Sequence, residues 1–307
     1  MCEVCEHIAV YVNNSYDPTR TTTLRNLAVR ESNRRFDSVI KAILEVVTEE
    51  NFNKPEVLQS LPPDFKYLSN EKKIKEFLNW LETYVDSKIL EIYGIPQGVD
   101  YKNWLNKYLH TAYQRGVARA REELRKAGYT VPTIVASGGL KTVMQAPIHV
   151  DSVALLYTRA FNDLKGITDA MRTQIGRLLA EGLARGTNPR VLARRMVAAI
   201  NGKGMGDLGL VDSLGRFIPA RRRAEILART EIIRAHHYAN VNEYKTWGAF
   251  GVSVVAEFRT AGDDRVCEEC AALEGKIFTL DEILPMIPVH PQCRCVALPI
   301  VNPKNKK

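Results

Sequence analysis

Residues 267–295 read CEECAALEGKIFTLDEILPMIPVHPQCRC, and the reading of this stretch decides what the C-terminal part of the chain can be. Cys267 and Cys270 form a C-x2-C knuckle, the spacing at which two thiolates grip one Zn²⁺ from a tight turn. His290, Cys293 and Cys295 follow as a second half-site. If Cys293 and Cys295 are extended, their sulfurs face the same side, because strand side chains alternate with period two. A tetrahedral ion takes four ligands and five are offered. Either four cysteines bind with His290 held beside them by Pro288 and Pro291, or three cysteines bind with His290 and one cysteine stands behind. The expected role is structural. A redox C-x2-C calls for a thioredoxin-like βαβ context, which is missing here. Catalytic zinc needs an open coordination position, which thiolate-rich sites seldom leave. A module of about 60 residues with few apolar positions needs such a staple to fold.

The six cysteines sit at the two ends of the 307-residue chain, with Cys2 and Cys5 near the start and the other four after residue 266. A secreted disulfide scaffold would spread them through a small, loop-rich chain, so paired short spacings point to metal in a reducing compartment. Cys2, Cys5 and His7 offer half of a second site without a fourth ligand, and incidental cysteines are the favoured reading there. The start MCEVCEHIAVYVNN lacks a basic n-region and a small-residue cleavage site, so a protein made in a cytosol is expected. No apolar run approaches the roughly 18 residues of a membrane span.

Charge is uneven. From Arg172 to Arg234 thirteen basic residues face five acidic ones, which accounts for the whole net charge of +8. Arg172, Arg177, Arg194, Arg195, Arg221, Arg222 and Arg223 are the candidates for a surface facing nucleic acid or an acidic protein. A solvated helical face explains them about as well.

The hydrophobic pattern upstream is helical. Leu24, Leu27, Phe36, Val39, Ile40, Ile43, Leu44 and Val47 recur at helix spacing. A second helix is predicted after Ser69 or Asn70 and a third from about Tyr101 to Lys126, closed by Gly128. The stretch from Gly128 to Val150 lacks a period and predicts a linker with a short strand. His149 lies alone there and reads as a core or loop residue. Helices resume at Asp151. Gly186 stops the run, then Asn188 as N-cap and Pro189 at the first helical position start another. Residues 201–217 are glycine-rich without Walker spacing and predict a loop. From Pro219 a long helix is expected, with Ile226, Ile233, Ala235 and Tyr244 on its buried face. The adjacent His236 and His237 point about 100° apart and do not share an ion. Val252, Val254, Ala256 and Phe258 then alternate as a strand, and GKIFTL gives another. The chain therefore divides into a helical region 1–135, a linker and basic helical region 136–220, and a long helix with a zinc-stabilised α+β module at 221–307. Its class is mainly α.

The strings ILARTEIIRAHHYANVNEYKTWG, TAGDDRVCEEC, LEGKIF and IPVHPQCRC together resemble the phage Mu F-like minor head protein family, also called phage head morphogenesis proteins. The likeness runs from about Asp151 to Val301. It implies a minor capsid component of a tailed phage, located inside the head near the portal and working with portal, capsid or scaffold proteins. Some members of the family travel with the DNA, and the basic segment has two candidate partners: packaged double-stranded DNA, contacted without sequence preference, and acidic surfaces of the portal. Family members sometimes carry a fused toxin domain beyond this module, and none is expected after VNPKNKK. The rival expectation is a zinc-containing nuclease or a plain DNA-binding protein. For a nuclease the candidate acid, base or ion-binding residues are His236, His237, Glu257, Asp263, Asp264 and His290.

Overall fold

A computed structural model of the chain describes residues 17–48, 70–91, 103–202, 218–250 and 254–301. Cys2, Cys5, His7, Val252 and the glycine-rich stretch from 203 to 217 lie outside the described residues. The chain divides into two compact units. One comprises Met1–Asn26, Asn106–Tyr157 and Arg229–Lys307, the other Leu27–Leu105 and Thr158–Ala228.

The second unit is helical. It contains most of α1 (Thr22–Val47), all of α2 (Asn70–Val85) with a π-helical turn at Asp86–Leu90, the latter part of α5 (Pro147–Ala184), and α6 (Pro189–Asn201). Phe36, Val39, Ile43 and Val47 of α1 are buried as the periodicity predicts, but Leu27 and Leu44 are more than a third exposed. They lie at the edges of an arc that Ala28, Val29 and Val46 complete instead. Ser38 meets Tyr84 at 3.2 Å and Arg35 reaches Glu91 at 2.6 Å, tying α1 to the end of α2. Helix α5 stops where Gly186 turns to φ 61° and Thr187 N–H returns to the Gly182 carbonyl at 2.8 Å. The predicted cap of α6 is present: the Asn188 side chain accepts from Arg190 N–H at 2.9 Å.

The first unit is built on α3 (Trp104–Lys126), the start of α5 and most of α7 (Ala220–Ala249). No strand forms between Gly128 and Val150. A short helix, α4 (Leu140–Met144), occupies that stretch, and α5 starts at Pro147, four residues before the expected Asp151. Proline at its first position costs no hydrogen bond there, which explains the earlier start. Helix α7 also departs from the one-faced pattern. From Glu231 to Tyr244 only Arg234 and Tyr238 are less than buried, so the helix is enclosed almost all round.

A helix enclosed in that way must satisfy its own polar side chains. Glu243 receives Arg121 at 2.5 Å, His149 at 3.1 Å and the Trp247 indole N–H at 2.8 Å. The other His149 nitrogen meets the Tyr113 hydroxyl at 3.0 Å. Asn242 donates to Tyr113 and to Ser152, and the Tyr244 hydroxyl donates to Glu123 at 2.5 Å. His149 is therefore a core residue, as the sequence suggests, held by a network that joins α3, α5 and α7. Burial pushes the Glu243 carboxyl up, yet His149, Arg121 and Trp247 together hold it below its ordinary value.

The C-terminal module follows α7. Strand β1 (Val254–Arg259) lies between β2 (Ile277–Phe278) and β3 (Val296–Val301) in an antiparallel sheet ordered β2-β1-β3. The register pairs Ala256 with Phe278 and with Pro299. One-turn helices α8 (Glu268–Ala271) and α9 (Leu280–Ile283) fill the connections. Thr279 and Glu282 form a reciprocal capping box on α9. The fold is thus mainly α with a small α+β module at the C-terminus, as expected.

Candidate metal centre

The five candidate ligands converge although 28 positions separate the first from the last. Cys267 caps α8, and its sulfur accepts the Cys270 N–H at 3.4 Å, which folds the knuckle. Cys293 and Cys295 lie just ahead of β3, after a turn in which Gln292 adopts φ 63°. Cys293 N–H bonds the His290 carbonyl at 3.1 Å and Gln292 N–H bonds the Thr230 hydroxyl at 2.9 Å, so α7 anchors the turn. The Ile287–Pro288 peptide is cis.

Two groups able to hold a metal ion result, Cys267–Cys270–His290 and Cys270–Cys293–Cys295, each with its ligand atoms within 4.8 Å of one another. Cys270 belongs to both. Its sulfur lies 3.2 Å from His290 Nε2. His290 Nδ1 lies 2.9 Å from the Pro291 carbonyl, which only an N–H can satisfy, so the Nε2 lone pair faces the cysteine cluster. An imidazole oriented by a carbonyl on its far nitrogen is the usual arrangement of a metal-bound histidine. Cys270, Cys293 and Cys295 are buried among Ala256, Phe258, Ile283, Ile287 and Ala297. A hydrogen bond from the Cys295 thiol lowers the Cys293 pKa. Burial and the Cys293 charge raise that of Cys270, and the bond to Cys293 raises that of Cys295. Thiols packed this closely cannot all ionise by themselves. A bound cation removes the conflict, so the donor set fits a thiophilic metal such as Zn²⁺.

Arg294 stands between Cys293 and Cys295, and alternation turns its side chain away from the sulfurs. It clasps Asp263 through both Nη atoms at 2.6 Å, and Arg265 adds a bond at 2.9 Å. Those bonds hold the Asp263 carboxyl well below its ordinary range. This clamp joins the turn before the knuckle to the turn before β3. The sequence reading missed it, though the arginine between two cysteines was the available signal.

The residues weighed for a nuclease are not gathered. His236 and His237 are buried in α7, and burial lowers both pKa values, that of His237 to about 4. His237 Nε2 lies 3.0 Å from the Ile283 carbonyl and 3.2 Å from that of Leu284. Glu257 pairs with Arg259 at 3.1 Å, and Asp264 is exposed. Among the described residues, the groups of three His, Cys, Asp or Glu able to hold an ion are the two that share Cys270.

A family model described as Phage Mu protein F like protein matches residues 173–298, somewhat less than half of the chain. This segment is similar to the phage Mu F-like family. The F-like segment takes in the end of α5, α6, α7 and the cysteine module, where the sequence resemblance was densest. No curated protein and no solved structure gave a significant match.

Several arginines singled out in the basic segment are engaged. Arg172 bonds Glu82 at 2.5 Å and Asp169 at 2.6 Å, Arg221 bonds Asp37 at 2.6 Å, and Arg222 bonds Glu225 at 2.8 Å. Arg223 is half-buried, while Arg177, Arg194 and Arg195 are exposed on α5 and α6. No helix among the described residues is long and apolar enough to cross a membrane.

Proposed function

We propose that the protein is a minor structural component of a tailed-phage head, acting in head assembly next to the portal. Its C-terminal module is held together by a structural Zn²⁺. The phage Mu F-like match over residues 173–298 carries the first statement. The convergence of Cys267, Cys270, His290, Cys293 and Cys295 supports the second, with four of these five as ligands. Bound zinc supplies a cross-link between the α8 knuckle and the turn before β3. His290 offers Nε2 because Pro291 takes the proton-bearing nitrogen, and Cys270 contributes to either choice of four. Portal, capsid or scaffold proteins are the proposed partners, inside the capsid. Arg177, Arg194 and Arg195 are available for non-specific contact with packaged DNA. The role is assembly rather than catalysis.

Purified virions of the phage test this reading. The chain should be present in them, and a tagged copy should hold portal protein after nuclease treatment. Absence from virions, or recovery of portal protein only through DNA, would overturn it.

A further inference from the structure

The metal module forms one wall of a cleft of about 850 Å³, within the roughly 300–1,000 Å³ range of ligand sites. Arg265 and Arg294 come from the module, Arg229 from α7, Arg20 from the turn before α1 and Arg25 from the first turn of α1. Asp17 is the one acid among the lining residues. It caps α1 by accepting from Thr19, Thr21 and Thr22, and it pairs with the buried Arg25 at 2.6 Å, so it neutralises Arg25 and leaves the other four arginines in excess. Asp263 balances part of the charge of Arg265 and Arg294 from behind. Arg229 is held by Asn26 at 3.1 Å. Arg20 is exposed and Arg265 has 65% of its side chain in solvent. Arg25, Arg229 and Arg294 are therefore held by neighbours at the walls, and Arg20 and Arg265 are the exposed members of the lining.

We infer that this cleft binds phosphate groups. Guanidinium forks match the oxygens of a phosphate in pairs, and arginines pre-positioned by Asp263 and Asn26 lose little freedom on binding. None of these five arginines belongs to the basic set singled out on α5, α6 and the start of α7. The inference concerns the ligand chemistry of the first unit and holds whatever the protein's place in the head.

The source of the phosphate is either a nucleic-acid backbone or a small phosphate ion. Full-length protein would be titrated with a short random-sequence DNA duplex, with pyrophosphate, and with oligoglutamate. The informative variant is Arg20→Glu with Arg265→Glu, because both side chains are exposed and the two Arg294 bonds to Asp263 do not involve them; circular dichroism and the metal content check the fold. The control is Arg34→Glu with Lys41→Glu on α1, two largely exposed cations outside the cleft. For a backbone ligand the cleft variant should weaken duplex binding at least tenfold. Its slope of log K against log salt should drop by about two, near 0.9 per lost phosphate contact, while the control stays within about twofold of wild type. For a small ion, pyrophosphate should bind with saturation and lose that binding in the cleft variant alone. The inference is overturned if neither phosphate ligand distinguishes the cleft variant from the control. It is overturned equally if oligoglutamate competes as well as the duplex does, since the cleft would then be a carboxylate site.

Discussion

Cys270 sits in both triads of the cluster, so it is the residue whose loss no rearrangement of the remaining candidates replaces. Cys270→Ser should abolish zinc binding in metal analysis of the purified protein, against about one zinc per chain for wild type. His290→Ala tests the orientation imposed by Pro291: a histidine ligand predicts loss of metal, and retention would leave the four cysteines as the set. Glu243 makes a different prediction. Replacing it by Gln leaves Arg121 buried beside an uncharged amide, a change that costs roughly 3–5 kcal/mol in comparable buried pairs. The folded-state pKa of Glu243 is lowered, so its stabilisation is complete above the ordinary carboxylate pKa and is lost as pH falls through the lowered value. Denaturant titrations should show the wild-type advantage over Glu243→Gln at neutral pH shrinking towards acid. An advantage independent of pH would refute the assignment.

At the scale of elements, α3 and α7 approach closely at Gly116, where a Cβ would come within 2.5 Å of the His236 carbonyl oxygen. The obstacle is backbone, which has no rotamer to yield. Gly116→Ala should therefore destabilise by about 1–3 kcal/mol despite its better helix propensity, measured by chemical denaturation. The α6 cap gives a milder case: Asn188→Ala should cost about 1 kcal/mol through the lost bond to Arg190 N–H. Helix existence was legible from periodicity, and the α6 cap was legible to the residue. The region after Gly128 was misread because a short helix and a proline-started one leave little period to detect. The full enclosure of α7 was hidden as well. Its His, Asn and Glu residues imitate a solvent face, and only their partners on α3 and α5 make them core.

Across the molecule, metal dependence should be local. The cysteine module has a small apolar core around Phe258, Ile283 and Ile287, with three of its buried members being the cysteines themselves. With the proposed Zn²⁺ bound, its removal would leave those thiols crowded and part of that core without a cross-link. Chelation should raise amide hydrogen exchange throughout β1, β3 and the connections between them, and leave α2 and α6 protected. Uniform loss of protection would mean that the ion supports more than its own module.

What the sequence determined by itself was local or chemical: a helical body, the two half-sites with ligand-type residues at ligand-type spacing, and a family likeness concentrated where residues 173–298 match. These are properties of short spans, which periodicity and spacing record directly. The tertiary structure decided how groups far apart in the chain meet. It made Cys270 the shared member of the cluster, turned Arg294 onto Asp263, and engaged Arg172, Arg221 and Arg222 with carboxylates. It also gathered Arg20, Arg229 and Arg265 around one cleft. Charge counted along the chain cannot tell an arginine that is neutralised by a neighbour from one that faces solvent, because that distinction is set by packing.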